Sequence, residues 1–331
     1  MHTVTGRAAR IFVFAAVAIA AACGESSSSR LAPGDGYVEM PGGRVWYRIV
    51  GSGPGTPLVL LHGGPGAPSY YLNPLAALGD DRPVIFYDQL GAGRSDHTSD
   101  STLWTIPHFV AELDSLRSAL GLTEVHILGH SWGSMLAAQY YFAHPAGVKS
   151  LIMASPALST ADWIADADSL LLTLPDSIQA AIQRHEAAGT FEDPEYQAAV
   201  MAFYQLYLAR RQPWGPDMDS TFAGFNEELY GYMWGPSEFT ATGTLRDFDV
   251  TDSLPLIAVP TLFMTGEYDE ARPSTVETHA ALVPGAEVAI IPGAAHVTMH
   301  DNPEESVGVV RDFLRRVDGG DQAVSAPLPD D

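Results

Sequence analysis

The chain of 331 residues is 46% hydrophobic and 17% charged, and its 40 acidic and 17 basic side chains give a formal net charge of −23. So apolar a composition can bury a sizeable core and argues against wholesale disorder, while the acidic balance speaks against nucleic acid, which would need a basic face. Cys23 is the only cysteine, which rules out an intrachain disulfide and a cysteine-based metal site. The acidic surplus reads first as a solvated surface, with attraction of cationic substrates as the alternative.

In chain order, Arg7 and Arg10 precede a short apolar run, Ile11 to Ala22, with the proportions of a signal-peptide core and too short to span a bilayer comfortably. Cys23 follows small residues and precedes Gly24 and a serine-rich stretch, a pattern that resembles the lipobox of bacterial lipoproteins, with Ala20 where leucine is usual. That resemblance implies lipidation of Cys23 and an exported, membrane-anchored protein facing the periplasm or cell exterior. Ordinary secretion, with cleavage near Ala22, is the alternative. Residues 1–22 are therefore assigned to a signal peptide and 23–35 to a linker.

"YVEM" and "RVWYRIVG" alternate polar and apolar residues around "PGG" and predict a β-hairpin. "PLVLL" and "RPVIFY" predict buried strands, each running into a loop. Ile106 to Leu120 has helical periodicity, with Phe109, Leu113, Leu116 and Leu120 on one side, and Gly121 ends it. "VHILGH" predicts a strand, "SMLAAQYYFAHP" a helix and "VKSLIMASP" another strand. Residues 157–252 break this alternation with helical stretches, many aromatics and no convincing strand. The alternation resumes through "PTLFMTGEYD", "STVETHAALV", "AEVAIIPG" and "PEESVGVVRDFLRRV". Alternating strands and helices imply a mostly parallel α/β sheet with helices on both faces. Its two parts are 36–156 and 253–317, with 157–252 inserted as a helical lid and 318–331 as a disordered tail.

Gly129-His130-Ser131-Trp132-Gly133 forms G-x-S-x-G at a strand-to-helix corner. So sharp a turn pushes the serine hydroxyl out above the sheet and aims the first N–H groups of the helix at a nearby oxygen. A serine nucleophile needs a base, and the base an orienting acid. Asp269 and His296 follow in the order Ser…Asp…His, each just past a predicted strand and so at the sheet edge where α/β sites gather. The backbone N–H of Trp132 and the amides of "HGGPG", Gly63 and Gly64, are the expected oxyanion donors. His296 and His300 stand four apart, but Asp301, Pro303 and the loop-like "PGAA" argue against a helical metal pair. "GSGPGT" and "GAGRSD" both miss G-x-G-x-x-G at the last glycine. No metal and no cofactor is expected.

"HGGPG", "YDQLGAGRSD", "GHSWGSM", "GEYDEARP" and "AAHVTMHDNPE" together resemble the proline iminopeptidase family of α/β-hydrolases, over residues 37–317. The resemblance implies the α/β-hydrolase fold and a serine aminopeptidase that releases an N-terminal residue, proline or another apolar one, from short peptides. It also implies that Glu270, after the aspartate, and Glu238, in the lid, hold the substrate's free ammonium. Leu90 stands where the proline-specific branch has arginine, and Ser134 where a second glycine is common. Leu90 and "MWGPSEFTATGTLRDFDVTD" look closer to the archaeal tricorn-interacting aminopeptidases. Lid aromatics Tyr204, Tyr207, Phe225, Tyr230 and Trp234 are candidates for the first side-chain pocket. An amino-acid amidase, an esterase or lactonase, and a tethered binding module are the rivals. The partners expected are short peptides or aminoacyl amides with a free N-terminus, and a membrane only through the lipid anchor.

Overall fold

The computed structural model describes residues 1–2 and 31–320. Cys23, residues 3–22 of the signal segment and residues 24–30 of the linker lie outside the described residues, as do residues 321–331. Among the described residues no helix is long and apolar enough to cross a membrane.

Eight strands form one sheet in the order β1-β2-β4-β3-β5-β6-β7-β8. β1 (Gly34–Met40) and β2 (Gly43–Val50) make the hairpin, and β2 pairs antiparallel with β4 (Val84–Tyr87). β4, β3 (Leu58–Leu61), β5 (Val125–His130), β6 (Val148–Ala154), β7 (Thr261–Gly266) and β8 (Glu287–Ile291) run parallel. Every residue of β3, β4, β5 and β7 is buried, because helices cover both faces. β8 instead alternates, with Val288 and Ile290 exposed, as an edge strand with one covered face can.

One face is covered by α1 (Ile106–Ala119), α2 (Trp132–Ala143) and α8 (Pro273–Leu282), which bring Phe109, Leu113, Leu136 and Val276 onto the sheet. The other is covered by a 3₁₀ segment, Ser69–Asp80, and by α10 (Pro303–Gly319), through Leu72, Leu75, Val310 and Phe313. The inserted region carries α3 (Thr160–Leu171), α4 (Asp176–Ala188), α5 (Pro194–Tyr207), α6 (Pro216–Ala223) and α7 (Glu227–Met233). Ile182, Tyr196 and Phe203 give it a small core of its own. A single turn, α9 (Thr298–Asp301), lies before α10.

Two expected boundaries are corrected. β1 already starts at Gly34, inside the span assigned to the linker. α10 runs through Asp318, which the sequence reading put in the tail. Asn302 caps its start and Gly320 its end, and Asp318 is held by Arg82 at 2.8 Å, Thr56 at 2.9 Å and His126 at 3.1 Å. Those partners lie 192 to 262 residues away, so nothing in the local sequence announces them.

Candidate active site

Because β3, β5, β6, β7 and β8 are parallel, their C-terminal ends share one edge, and each delivers a site residue there. β5 ends at His130 and α2 begins at Trp132, leaving Ser131 alone at the corner with φ 55° and ψ −123°. The glycines follow from close approach. A Cβ on Gly129 would collide with the Gly133 carbonyl, and one on Gly133 with the Leu61 carbonyl of β3. Ser134, where the family pattern often has glycine, ties the corner down: its hydroxyl donates to the Ser131 carbonyl at 2.6 Å and accepts from the Ala157 N–H at 3.0 Å. Among the described residues only Ser131 and Ser155 are non-glycine with positive φ, and both lie at this edge, where such strain costs roughly 1–3 kcal/mol each.

Asp269 follows β7 and His296 follows β8. His296 Nδ1–H donates to Asp269 Oδ1 at 2.8 Å, which leaves Nε2 as the ring's free acceptor. Asp269 also accepts the Ala271 N–H at 2.8 Å, the Ser155 hydroxyl at 2.6 Å and the Gly266 N–H at 3.0 Å. Burial alone would push its carboxyl up, but the His296 imidazole and these hydrogen bonds outweigh it and hold the group below its ordinary range. Among the described residues no hydrogen bond joins Ser131 Oγ to His296. The two line one cavity, and His296 Nε2 lies 3.7 Å from Glu270 Oε1.

Residues the sequence reading passed over hold this geometry. The Tyr71 hydroxyl accepts the Gly63 N–H at 2.7 Å and meets His130 Nδ1 at 2.9 Å, while His130 Nε2–H donates to the His296 carbonyl at 2.9 Å. Burial pushes His130 down to about 3, so it braces His296 as a neutral ring. Gln89 buckles three loops together: its N–H donates to His62 Nε2 at 2.9 Å, its amide donates to the His62 carbonyl at 3.2 Å, and Trp132 Nε1–H donates to its oxygen at 2.9 Å. The Tyr207 carbonyl accepts the N–H of Glu270 at 3.3 Å and of His296 at 3.0 Å, so the lid itself sets both residues.

One expected oxyanion donor is corrected. The Gly63 N–H is taken by Tyr71 and cannot also serve a substrate oxygen. Trp132, first residue of α2, has an N–H with no intrahelical acceptor, and the Gly64 N–H has no partner among the described residues. These two amides flank Ser131.

A cavity of about 680 Å³ lies between lid and sheet and is lined by Ser131, His296, Glu238 and Glu270. Tyr204, Phe225 and Tyr230 line it too, but Tyr207 packs against Phe203 in the lid core. A small recess beside Ser131 is walled by Trp163, Trp234, Met135 and Leu245. Of these only Trp234 was expected. Trp163 sits edge-on to His296 at 5.5 Å between ring centres.

Glu270 is 3% exposed and its Oε2 has no hydrogen-bond partner among the described residues. Burial, with the charges of Glu238 and Asp269, pushes its carboxyl well above the ordinary range. Glu238 is half-buried and accepts the Tyr230 hydroxyl at 2.9 Å, and burial raises it as well. Two carboxyls thus converge on one cavity with spare acceptor capacity, a place for a cation that carries several N–H donors.

His300, the other half of the spaced histidine pair, turns away from His296 and donates to the Tyr71 carbonyl at 2.8 Å. On the lid, His185, Asp193 and Glu195 put ligand atoms within 4.8 Å of one another, but Glu195 is paired with Arg184 and Asp193 caps α5.

A model of the α/β-hydrolase fold family matches residues 56–303. A proline iminopeptidase of Heyndrickxia coagulans is 43% identical over 285 residues, 86% of this chain and 99% of that protein. One of Saccharolobus solfataricus is 35% identical over 86% of this chain and 93% of its own length. Among solved structures, the proline iminopeptidase of Mycobacterium smegmatis superposes with a TM-score of 0.81 at 36% identity, over 87% of this chain and 99% of its own. VinJ does so at 0.83 and 37% identity, covering 86% and 100%.

Proposed function

The chain belongs to the proline iminopeptidase family of α/β hydrolases, and on that premise we propose a serine aminopeptidase that recognises its substrate by the free ammonium and releases proline or another apolar N-terminal residue. The observation that carries this reading is the buried, unpaired Oε2 of Glu270, which shares a cavity with Glu238 and Ser131. A first residue whose ammonium meets the two glutamates has its carbonyl carbon two bonds from that nitrogen, within reach of the corner serine.

Ser131 then attacks that carbon while His296 Nε2 takes its proton, and Asp269 steadies the imidazolium. In this structure Nε2 lies 3.7 Å from Glu270 Oε1. An arriving ammonium engages Glu270 and leaves Nε2 to Ser131, and such bonds commonly tighten only in the complex. The N–H groups of Trp132 and Gly64 receive the oxyanion. His296 returns its proton to the leaving amine, and water releases the acyl group by the reverse of these steps. The recess of Trp163, Trp234, Met135 and Leu245 gives the first side chain an apolar wall beside Ser131.

Aminoacyl arylamides of Pro, Ala, Leu and Phe, each with a free and an acetylated amine, test the reading. Cleavage is expected of the free-amine set alone. Equal cleavage of both sets would point instead to a general amidase or esterase, and the side-chain ranking decides between strict proline specificity and the broader archaeal branch suggested by Leu90.

We further propose export with lipidation at Cys23, from the arginines, apolar run and small residues before that cysteine. Mass spectrometry of the mature N-terminus should find a lipid-modified cysteine. A free thiol there, or a start near Gly24, would refute it.

A further inference from the structure

The ammonium pair, Ser131 and His296 line the cavity, and the rest of it must take whatever follows the released residue. Its charge there is one-sided. Glu192, in the turn before α5, and Glu227 and Glu228, in the first turn of α7, line the same cavity as exposed carboxylates. With Glu238 and Glu270 they make five acidic side chains, and among the described residues no arginine or lysine lines the cavity. The one lysine of the chain, Lys149, is paired with Glu124 at 3.9 Å, at the N-terminal end of β6 and so across the sheet from the site. Tyr204, Phe225 and neighbouring apolar groups line the same cavity.

From this we infer that the site selects against a negative charge just downstream of the cleaved bond: its substrates are peptides whose C-terminal carboxylate is amidated or carried beyond the cavity, with a basic residue preferred in second place. The inference rests on the aminopeptidase reading. A peptide advances about 3.3–3.6 Å per extended residue. The carboxylate of a dipeptide held at Glu238 and Glu270 therefore stays within the cavity, where no arginine or lysine among the described residues awaits it and its lost hydration goes uncompensated. Amidation removes that charge, and each added residue moves it toward solvent. A lysine or arginine in second place gains attraction from the three exposed carboxylates, an interaction in high dielectric that salt screens.

The test compares kcat/KM for Pro-Gly, Pro-Gly-NH₂, Pro-Lys-NH₂ and Pro-Glu-NH₂, with proline arylamide as reference. The amide Pro-Gly-NH₂ is expected to exceed Pro-Gly at least tenfold. Pro-Lys-NH₂ should exceed Pro-Glu-NH₂ about tenfold at low ionic strength, falling toward parity in 1 M NaCl. The combined variant E192Q/E227Q/E228Q should bring the Lys-to-Glu ratio to about two while the amide-to-acid ratio of the glycine pair stays high, since that one is set by the uncompensated desolvation of the carboxylate. Equal rates for the acid and amide forms, or for Lys and Glu, with arylamide still cleaved, would overturn the inference and leave the aminopeptidase standing. A Lys-to-Glu ratio unmoved by the variant would overturn the role of the three rim carboxylates. No cleavage of arylamide or of any peptide would take down both.

Discussion

Ser131→Ala is expected to lower kcat/KM on the best aminoacyl arylamide by roughly 10⁴–10⁶-fold with little change in thermal stability. The size follows from what is removed: no other group at the corner can form the acyl-enzyme, while the Trp132 and Gly64 amides survive and leave only residual catalysis. The fold should tolerate the change because the hydroxyl has no hydrogen-bond partner among the described residues, and the strained φ of 55° is already imposed by β5 and α2. Asp269→Asn supplies the companion measurement. Its Oδ1 fixes the His296 proton on Nδ1, and an amide there permits the wrong tautomer, so a loss of about 10⁴-fold is expected. A variant with alanine at 131 that kept more than about a tenth of wild-type activity would sink nucleophilic catalysis by this serine.

How far the sequence alone reaches depends on whether a feature is local. The apolar runs of β3, β5 and β7, the elbow glycines and the periodicity of α1 are local, and each was readable because burial, close approach and helical period leave their mark within a few residues. The same holds for Asp269 and His296, which could be placed by strand ends and chain order. The brace of Tyr71 and His130 spans 59 residues and the grip of Ser155 on Asp269 spans 114. Neither has a local pattern. That is also why Gly63 was expected to face the substrate: its motif announces a free backbone, but the direction of its N–H is decided by a tyrosine eight residues on. The lid is harder still. Its aromatics are alike in sequence, and only packing separates Trp234 in the recess from Tyr207, whose carbonyl positions Glu270 and His296. Trp163 carried no signal, although it touches the base. Asp318 looked like the start of an acidic tail until Arg82, Thr56 and His126 claimed it.

Glu270→Gln separates substrate recognition from structural support. If the carboxyl serves the ammonium, kcat/KM for free-amine substrates should fall by roughly 10²–10⁴-fold, the range for breaking a buried charge pair of about 3–5 kcal/mol, and the preference over acetylated substrates should shrink with it. The sign of the pH effect follows from the raised carboxyl. Below its pKa Glu270 is protonated, so wild type and variant differ least in acid. The wild-type advantage should grow as pH rises through that pKa, then decline above about 8 as the substrate amine loses its own proton. A ratio that does not vary with pH would argue against ammonium recognition. Stability should move the opposite way. A buried acid whose native pKa lies above its unfolded value contributes most below the unfolded pKa and loses that contribution as pH rises through the native one. Above that native pKa the substrate-free wild-type enzyme therefore carries the strain of an ionised oxygen without a partner among the described residues, beside Asp269 and Glu238, and the variant does not. Glu270→Gln should be the more stable protein there, by on the order of 1–3 kcal/mol. A glutamate kept for the fold would give the reverse: lower stability on removal and an unchanged preference for the free amine. Only a group held ready for a cation that arrives with the substrate predicts higher stability together with lost turnover.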